Sequence, residues 1–399
     1  MTMDVIYKLR IIIVLSFTFI FSTHIAEAPA YDISNEVNEF TTFYYQRPVP
    51  EKAPEMLKKF IQSDFFQSKE AYKNDVAGLT AYFFGRLGQI SPELKEQYRH
   101  IFEQSNHQGR YLVADVFGHC ASESDRQWLL GKANEPGYEG ERDFVNKIFG
   151  PPLTPPIDLA NMEIKKDDQL DYYWLEFFVT GNTQAVKQIF NVVKWPDKSR
   201  DKIQSFLNSN AAESKKNTVK QILRDSFEIQ FKEDEILSKD DIDVKIAHGI
   251  MMRGQRPAFK ALSEAIPFLN EEMGYYATKG AAAWSVNSNA GQHEEILRFL
   301  ESEINTLNGA PRLLALQYAA FSELDRNEDE AALRNIKKAI ELDPTSVGAH
   351  QLLYLMFMKK GDAEGMTQQM ATIEVLNPVL AKELKSVQSK AAQIVEQKW

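Results

Sequence analysis

From Met56 onward the apolar residues keep a helical period, and no stretch alternates long enough, at the period of two, to make a half-buried strand. Met56, Leu57, Phe60 and Ile61 share one helix face, as do Val76, Leu79, Phe83 and Leu87, then Ile101 with Phe102, and Leu112 with Val116. Leu170, Tyr173, Trp174, Phe177 and Phe178 form a bulkier face, whose aromatics read as core. After Gly181-Asn182 the period returns with Val186, Ile189, Phe190 and Val193, so two helices joined by a glycine turn are expected. Phe227 to Phe231 alternates only weakly. With 19 Gly and 16 Pro in 399 residues, the chain also lacks the turn density of a β-fold. The expected fold class is all-α: an N-terminal helical domain followed by α-helical hairpins.

Prolines and polar runs punctuate this pattern. Residues 31–53 read as an irregular lead-in, because Pro48 and Pro50 push their predecessors out of the α region. Ser91-Pro92-Glu93 and Ser122-Glu123-Ser124-Asp125 carry helix-start chemistry. Four prolines between 151 and 156 cannot continue a helix, so 150–156 reads as a connector between an N-terminal domain (31–149) and a region of degenerate helical hairpins (157–312). The polar run 208–216 reads as a loop. Residues 233–243, six of them acidic, read as a solvated segment; the spacing of a calcium loop is absent. Ala281-Ala282-Ala283-Trp284 marks a close helix–helix approach.

The first residues read as an export signal. Lys8 and Arg10 precede an uncharged run from Ile11 to Ala26, and Ala26-Glu27-Ala28 fits a cleavage site. That run is shorter than the roughly twenty residues of a membrane span. Residues 1–28 are therefore expected to be a signal peptide, with the mature chain periplasmic or secreted and without a membrane span. The single Cys, Cys120, allows no intramolecular disulfide and no thiolate zinc cluster. A net charge of −10 argues against a nucleic-acid partner.

Asp343-Pro344 and Asn377-Pro378 lie 34 residues apart. If each Pro is set at position 32 of a unit, Ala319-Ala320 take positions 7 and 8 of the first unit, and Ala332, Ile336 and Ala339 take 20, 24 and 27. Leu353, Tyr354 and Phe357 take 7, 8 and 11 of the second, with Met366, Met370 and Ile373 at 20, 24 and 27. The run Asn335-Ile336-Lys337-Lys338-Ala339-Ile340-Glu341-Leu342-Asp343-Pro344 resembles the second helix and exit of a tetratricopeptide repeat (TPR), whose period is 34. The resemblance covers 313–378 and implies a TPR-like α-solenoid, closed by a capping helix over 379–399. Tyr354, Met366 and Glu323 depart from it, at positions 8, 20 and 11. Trp284…Gln292…Leu300 resembles a degenerate hairpin of the same kind. The wider layout, from Tyr44-Tyr45-Gln46-Arg47-Pro48 through Gly150-Pro151-Pro152 to Trp174…Phe178…Gly181-Asn182, resembles exported bacterial proteins and implies no activity.

Motifs for catalysis are missing. There is no G-x-S-x-G, no P-loop and no dinucleotide fingerprint. His293-Glu294-Glu295 lacks the second His of a zincin, His100 and His107 flank a helix break, and the adjacent His119 and Cys120 diverge on a helix. No catalytic, cofactor or metal residue is expected. The sequence points instead to a scaffold that binds a protein or peptide partner. The alternatives are a helical-toroid enzyme acting on a cell-envelope polymer, or a protein delivered to a host or competitor cell. In the TPR-like frame the concave positions 5, 9, 12 and 13 are Gln317, Phe321, Leu324 and Asp325, then Gln351, Leu355, Met358 and Lys359. The candidate partner-binding face comprises Gln317, Phe321, Gln351, Leu355, Met358 and Lys359.

Overall fold

Helices account for almost all of the regular structure. The computed structural model describes residues 35–68, 71, 75–151 and 157–386. The expected signal peptide (1–28), most of the proline connector and the end of the closing helix lie outside them. The fold is all-α; the one sheet among the described residues is an antiparallel ribbon of β1 (Phe231–Lys232) and β2 (Glu235–Ile236). Among the described residues, no helix is long and apolar enough to cross a membrane. The chain divides into two compact units between Gln188 and Ile189.

The N-terminal unit contains α1 (Asn35–Phe43), α2 (Ala53–Gln62), α3 (Asp64–Gln67), α4 (Val76–Ile90), α5 (Leu94–Gln104), α6 (His107–Cys120), α7 (Glu123–Lys132), α8 (Arg142–Phe149) and α9 (Asp168–Thr180). α1 corrects the irregular lead-in. Val37, Phe40 and Tyr44 keep helical spacing among polar neighbours, and Phe40 meets Tyr44 and Phe83 edge-on at 5.3 and 6.1 Å. Ser122 and Asp125 close a reciprocal capping box at the start of α7, as its sequence implies. At Ser91-Pro92-Glu93 the helix begins later, at Leu94, and Ser91 contributes its carbonyl rather than its hydroxyl. Phe178 and Leu175 of α9 pack on the same apolar core as Phe83, Phe84 and Phe117. The chain therefore returns to this core after the prolines, and the division falls beyond them. Gly181 ends α9 at φ +69, the left-handed conformation that lets the chain reverse.

α10 (Thr183–Val193) carries the division point. The C-terminal unit continues with α11 (Ser199–Leu207), α12 (Glu213–Phe227), α13 (Ile242–Met252), α14 (Arg256–Ala265), α15 (Phe268–Glu271), α16 (Met273–Gln292) and α17 (Glu294–Ile304). It ends in α18 (Gly309–Asp325), α19 (Asp329–Leu342), α20 (Val347–Lys360), α21 (Ala363–Leu376) and helical backbone over 378–386. The run expected as a loop over 208–216 is helical from Glu213, where an acidic residue suits a helix N-terminus.

Three consecutive helix pairs, α16–α17, α18–α19 and α20–α21, share one packing pattern. Within each pair the helices pack together, and both helices of a pair pack on the first helix of the next. Ala319, Ala320, Ala332, Ile336 and Ala339 are fully buried, as their assigned positions require. The awkward Glu323 is buried too, and both its carboxylate oxygens accept from Asn335 Nδ2, at 2.9 and 3.0 Å. Alongside these pairs, the segment after α12 is tied to two successive exits. Lys239 N donates to Asp343 Oδ2 at 2.9 Å, and Gln230 Nε2 donates to the Leu376 carbonyl.

Candidate functional site

Two residues of the expected partner face, Gln317 and Gln351, line a cavity of about 160 Å³. α18 contributes Leu314, Gln317 and Tyr318, and α20 contributes Gly348, Gln351 and Leu352. Each residue of the second set lies 34 positions after its counterpart in the first. The period extends one pair upstream, because Gly280, Ala283 and Trp284 of α16 lie 34 positions before Leu314, Gln317 and Tyr318 and line the same cavity. Three helix faces in equivalent register thus form one wall. α16 can sit deep because Gly280 meets α13 with no room for a side chain: a Cβ there would lie 2.4 Å from Ala247 Cβ. The small run Gly280–Ala283 makes the expected close contact, while Trp284 stays 46% exposed at the cavity with Met251 of α13 at 42%.

The opposite wall is charged. α13 places Lys245 and His248 one turn apart, and Arg253 follows its end. Arg253 Nη1 donates to Glu228 Oε1 at 2.6 Å, and Lys245 Nζ lies 3.4 Å from Glu228 Oε2 and 3.2 Å from Asp240 Oδ2. Burial alone would raise the Glu228 carboxyl, but Arg253 and Lys245 outweigh it and hold it at about 2. Asp240, buried and close to Asp343, is pushed up despite Lys245. Burial lowers His248 to about 4, so its imidazole is neutral at ordinary pH.

Glu233 and Glu235 are exposed as expected of a solvated segment, but Asp240, Asp241 and Asp243 are 2%, 3% and 0% exposed, which corrects that expectation for its second half. Asp241 and Asp243 find hydrogen-bond partners, whereas Asp240 has only the ion pair with Lys245. Asp241 caps α13 by accepting from Val244 N, and its other oxygen accepts from Lys279 Nζ at 2.5 Å. Asp243 accepts from Lys198 N and Ser199 N at 2.8 and 3.0 Å. Asp197, Asp241 and Asp243 have oxygens within 4.8 Å of one another, a spacing that a cation would fit. The Lys279 ammonium, itself fully buried, already supplies the positive charge there. Burial lifts the Asp241 carboxyl to about 6 against the pull of Lys279.

The six residues of the expected partner face separate. Gln317 and Gln351 line the cavity, and Gln317 Nε2 donates to Ser346 Oγ at 2.7 Å. Phe321 packs with Ala320, Ala332, Ile336, Leu352 and Met356. Leu355 is buried and Met358 packs beside it, against Tyr354, Met370 and Ile373. Lys359 Nζ donates to the Leu324 carbonyl at 2.9 Å and to Asp329 Oδ1 at 2.6 Å, tying α20 to the turn of the preceding pair. Trp284, Asn287, Lys245, His248 and Arg253 were not singled out as site residues from sequence. Extending the 34-residue register from Gln317 to Ala283 would have found the α16 face. The charged wall has no such periodic signal, since Glu228 and Arg253 come from different elements.

In the N-terminal unit a wider and more open cleft, of about 410 Å³, is lined by Tyr82, Arg86, His119 and Glu176. Its main charges are spent on each other, as Arg86 donates twice to Glu176, at 2.7 and 2.8 Å. Burial lowers the neighbouring His119 to about 4 and pushes the Cys120 thiol up to about 12, so no thiolate forms there. Compared with family models, curated proteins and solved structures, the chain matches none of them.

Proposed function

We propose that this protein is an exported helical-repeat scaffold, TPR-like over its last three helix pairs, which binds a protein or peptide partner at the cavity in its C-terminal unit. One observation carries the reading: residues in 34-residue register on α16, α18 and α20 converge on a single cavity rather than on separate surfaces. Stacked hairpins recognise partners along such a face, and Trp284 and Met251 leave large apolar groups exposed there. The export signal at residues 1–28 supports a partner in the cell envelope or beyond it. An acid–base reading of the same cavity is weaker, because Glu228 is held by Arg253 and Lys245 and Asp240 is almost wholly buried.

Selection of displayed random peptides on the full chain tests this. Enriched peptides should compete with one another and lose binding at least tenfold with Trp284→Ser, a change at an exposed position. Peptides indifferent to Trp284→Ser, or no enrichment over a denatured control, would overturn the assignment.

A further inference from the structure

The chemistry of the cavity is specific enough to name what enters it. Its volume of about 160 Å³ is close to the roughly 150 Å³ that holds one benzene ring in an engineered apolar cavity. It therefore suits one side chain of leucine to phenylalanine size. The ionised groups of its wall are already matched: Glu228 by Arg253 and Lys245, Asp240 by Lys245, and Asp241 by Lys279. A charged guest would meet no spare counter-ion and would have to break one of these buried pairs, which is costly. Three lining oxygens lack a hydrogen bond: both of Asp240, whose carboxylate lies 3.2 Å from Lys245 Nζ, and Asn287 Oδ1, the uncharged acceptor that asks for a partner. It can only accept, and a peptide N–H beside the guest side chain satisfies it. Trp284 and Met251 supply the apolar rim.

We infer that the cavity between α13, α16, α18 and α20 receives one uncharged apolar side chain of a polypeptide partner, with an adjoining peptide N–H donated to Asn287 Oδ1. This deepens the partner-binding reading above and rests on it. The cavity sets the anchor residue; the surrounding faces set the rest of the partner.

The test titrates the full chain by calorimetry with four capped amino acids: N-acetyl-phenylalaninamide, N-acetyl-leucinamide, N-acetyl-aspartamide and N-acetyl-lysinamide. The two apolar compounds are expected to saturate at about 1 mM, as suits ligands of their size. The two charged ones are expected to bind at least ten times more weakly. Gly348→Leu fills the space: the nearest neighbours of a new Cβ are the flexible carboxamide atoms of Gln317, 3.4 Å away. It should abolish saturation with phenylalaninamide while the helical circular dichroism stays unchanged. Toluene, which needs no variant, should compete with the phenylalanine compound. Equal binding of all four compounds, or failure of toluene to compete, overturns the inference. Selected peptides that bind Gly348→Leu as well as they bind the wild type overturn it alone and leave the partner-binding reading standing.

Discussion

The two units bury their residues in different ways. Most buried apolar residues of the N-terminal unit share one aromatic-rich core, running through Phe60, Phe66, Phe83, Phe84, Phe102 and Phe117. Its buried acids sit at helix ends and keep more than one partner. Asp125 caps α7 and also takes Arg99 at 2.7 Å and Lys95 at 3.5 Å. In the C-terminal unit the apolar residues fall into separate clusters, around Leu223 and Ile246, around Ala332 and Ile336, and around Tyr354 and Ile373. Among the elements that carry them run charges, Lys279, Asp241, Asp243 and Asp240 buried and Lys245 half-buried. The N-terminal unit keeps only an open cleft whose main charges pair with each other. A core broken into layers, with charged groups satisfied inside it, can hold a shaped cavity open without collapsing onto it.

Removing one charge should separate the two designs most sharply. Lys279→Met leaves Asp241 without its ammonium inside the C-terminal unit, and a loss of about 3–5 kcal/mol is expected from urea denaturation. Adding Asp241→Asn should restore much of it. Arg99→Met in the N-terminal unit should cost only about 1 kcal/mol, because Asp125 keeps Lys95 and its bonds from Ser122. Similar losses for Lys279→Met and Arg99→Met would erase the distinction.

A smaller effect concerns how damage spreads. Ala81 and Ala339 are both fully buried, so Lys at either costs about 3 kcal/mol through a buried charge. Hydrogen exchange should then rise across the whole N-terminal unit for Ala81→Lys. For Ala339→Lys it should rise most in α18–α21 and progressively less toward α11, as in a stack whose layers support only their neighbours. Val375→Lys, at an 82% exposed site, should change stability by less than about 0.5 kcal/mol. A uniform response to Ala339→Lys would mean that the C-terminal unit is one cooperative core after all.

The smallest effect is electrostatic. Burial, reinforced by Glu301 and Glu328 and only partly offset by Asn335, raises the Glu323 carboxyl from 4.5 to about 7. The native protein thus keeps a proton that the unfolded chain gives up, and stability falls as pH rises between those values. The full shift corresponds to about 3 kcal/mol. Gln at this position stays neutral and keeps an oxygen for Asn335, so Glu323→Gln should gain roughly 1 kcal/mol at pH 8 and almost nothing at pH 4. An equal change at both pH values would show that Glu323 is not protonated in the fold.

The fold class was legible because the helical period is carried by the apolar residues the fold must bury: the faces at Met56–Ile61 and Ala332–Ala339 are buried as their spacing implies. α1 was missed because only Val37, Phe40 and Tyr44 carry its period, between prolines and polar residues. Of the expected partner face, Gln317 and Gln351 reach the cavity, whereas Leu355 faces α21 and Lys359 is drawn to Asp329. Position within a repeat fixes the direction of a side chain but not the neighbour that meets it. The second half of the acidic segment, Asp240 to Asp243, failed as a surface prediction for a related reason. Composition cannot show that Lys279, some forty residues further on, folds back onto Asp241.

The segment after α12 touches the ends of two successive helix pairs, at Asp343 and Leu376. Open repeat arrays gain and lose whole units over evolutionary time, because each unit meets only the next. Here Gln230 and Lys239 span a fixed distance between two exits. Inserting one more hairpin between α19 and α20 would carry Leu376 out of reach of Gln230 while leaving Asp343 beside Lys239. The tie acts as a gauge on the spacing between these two helix pairs.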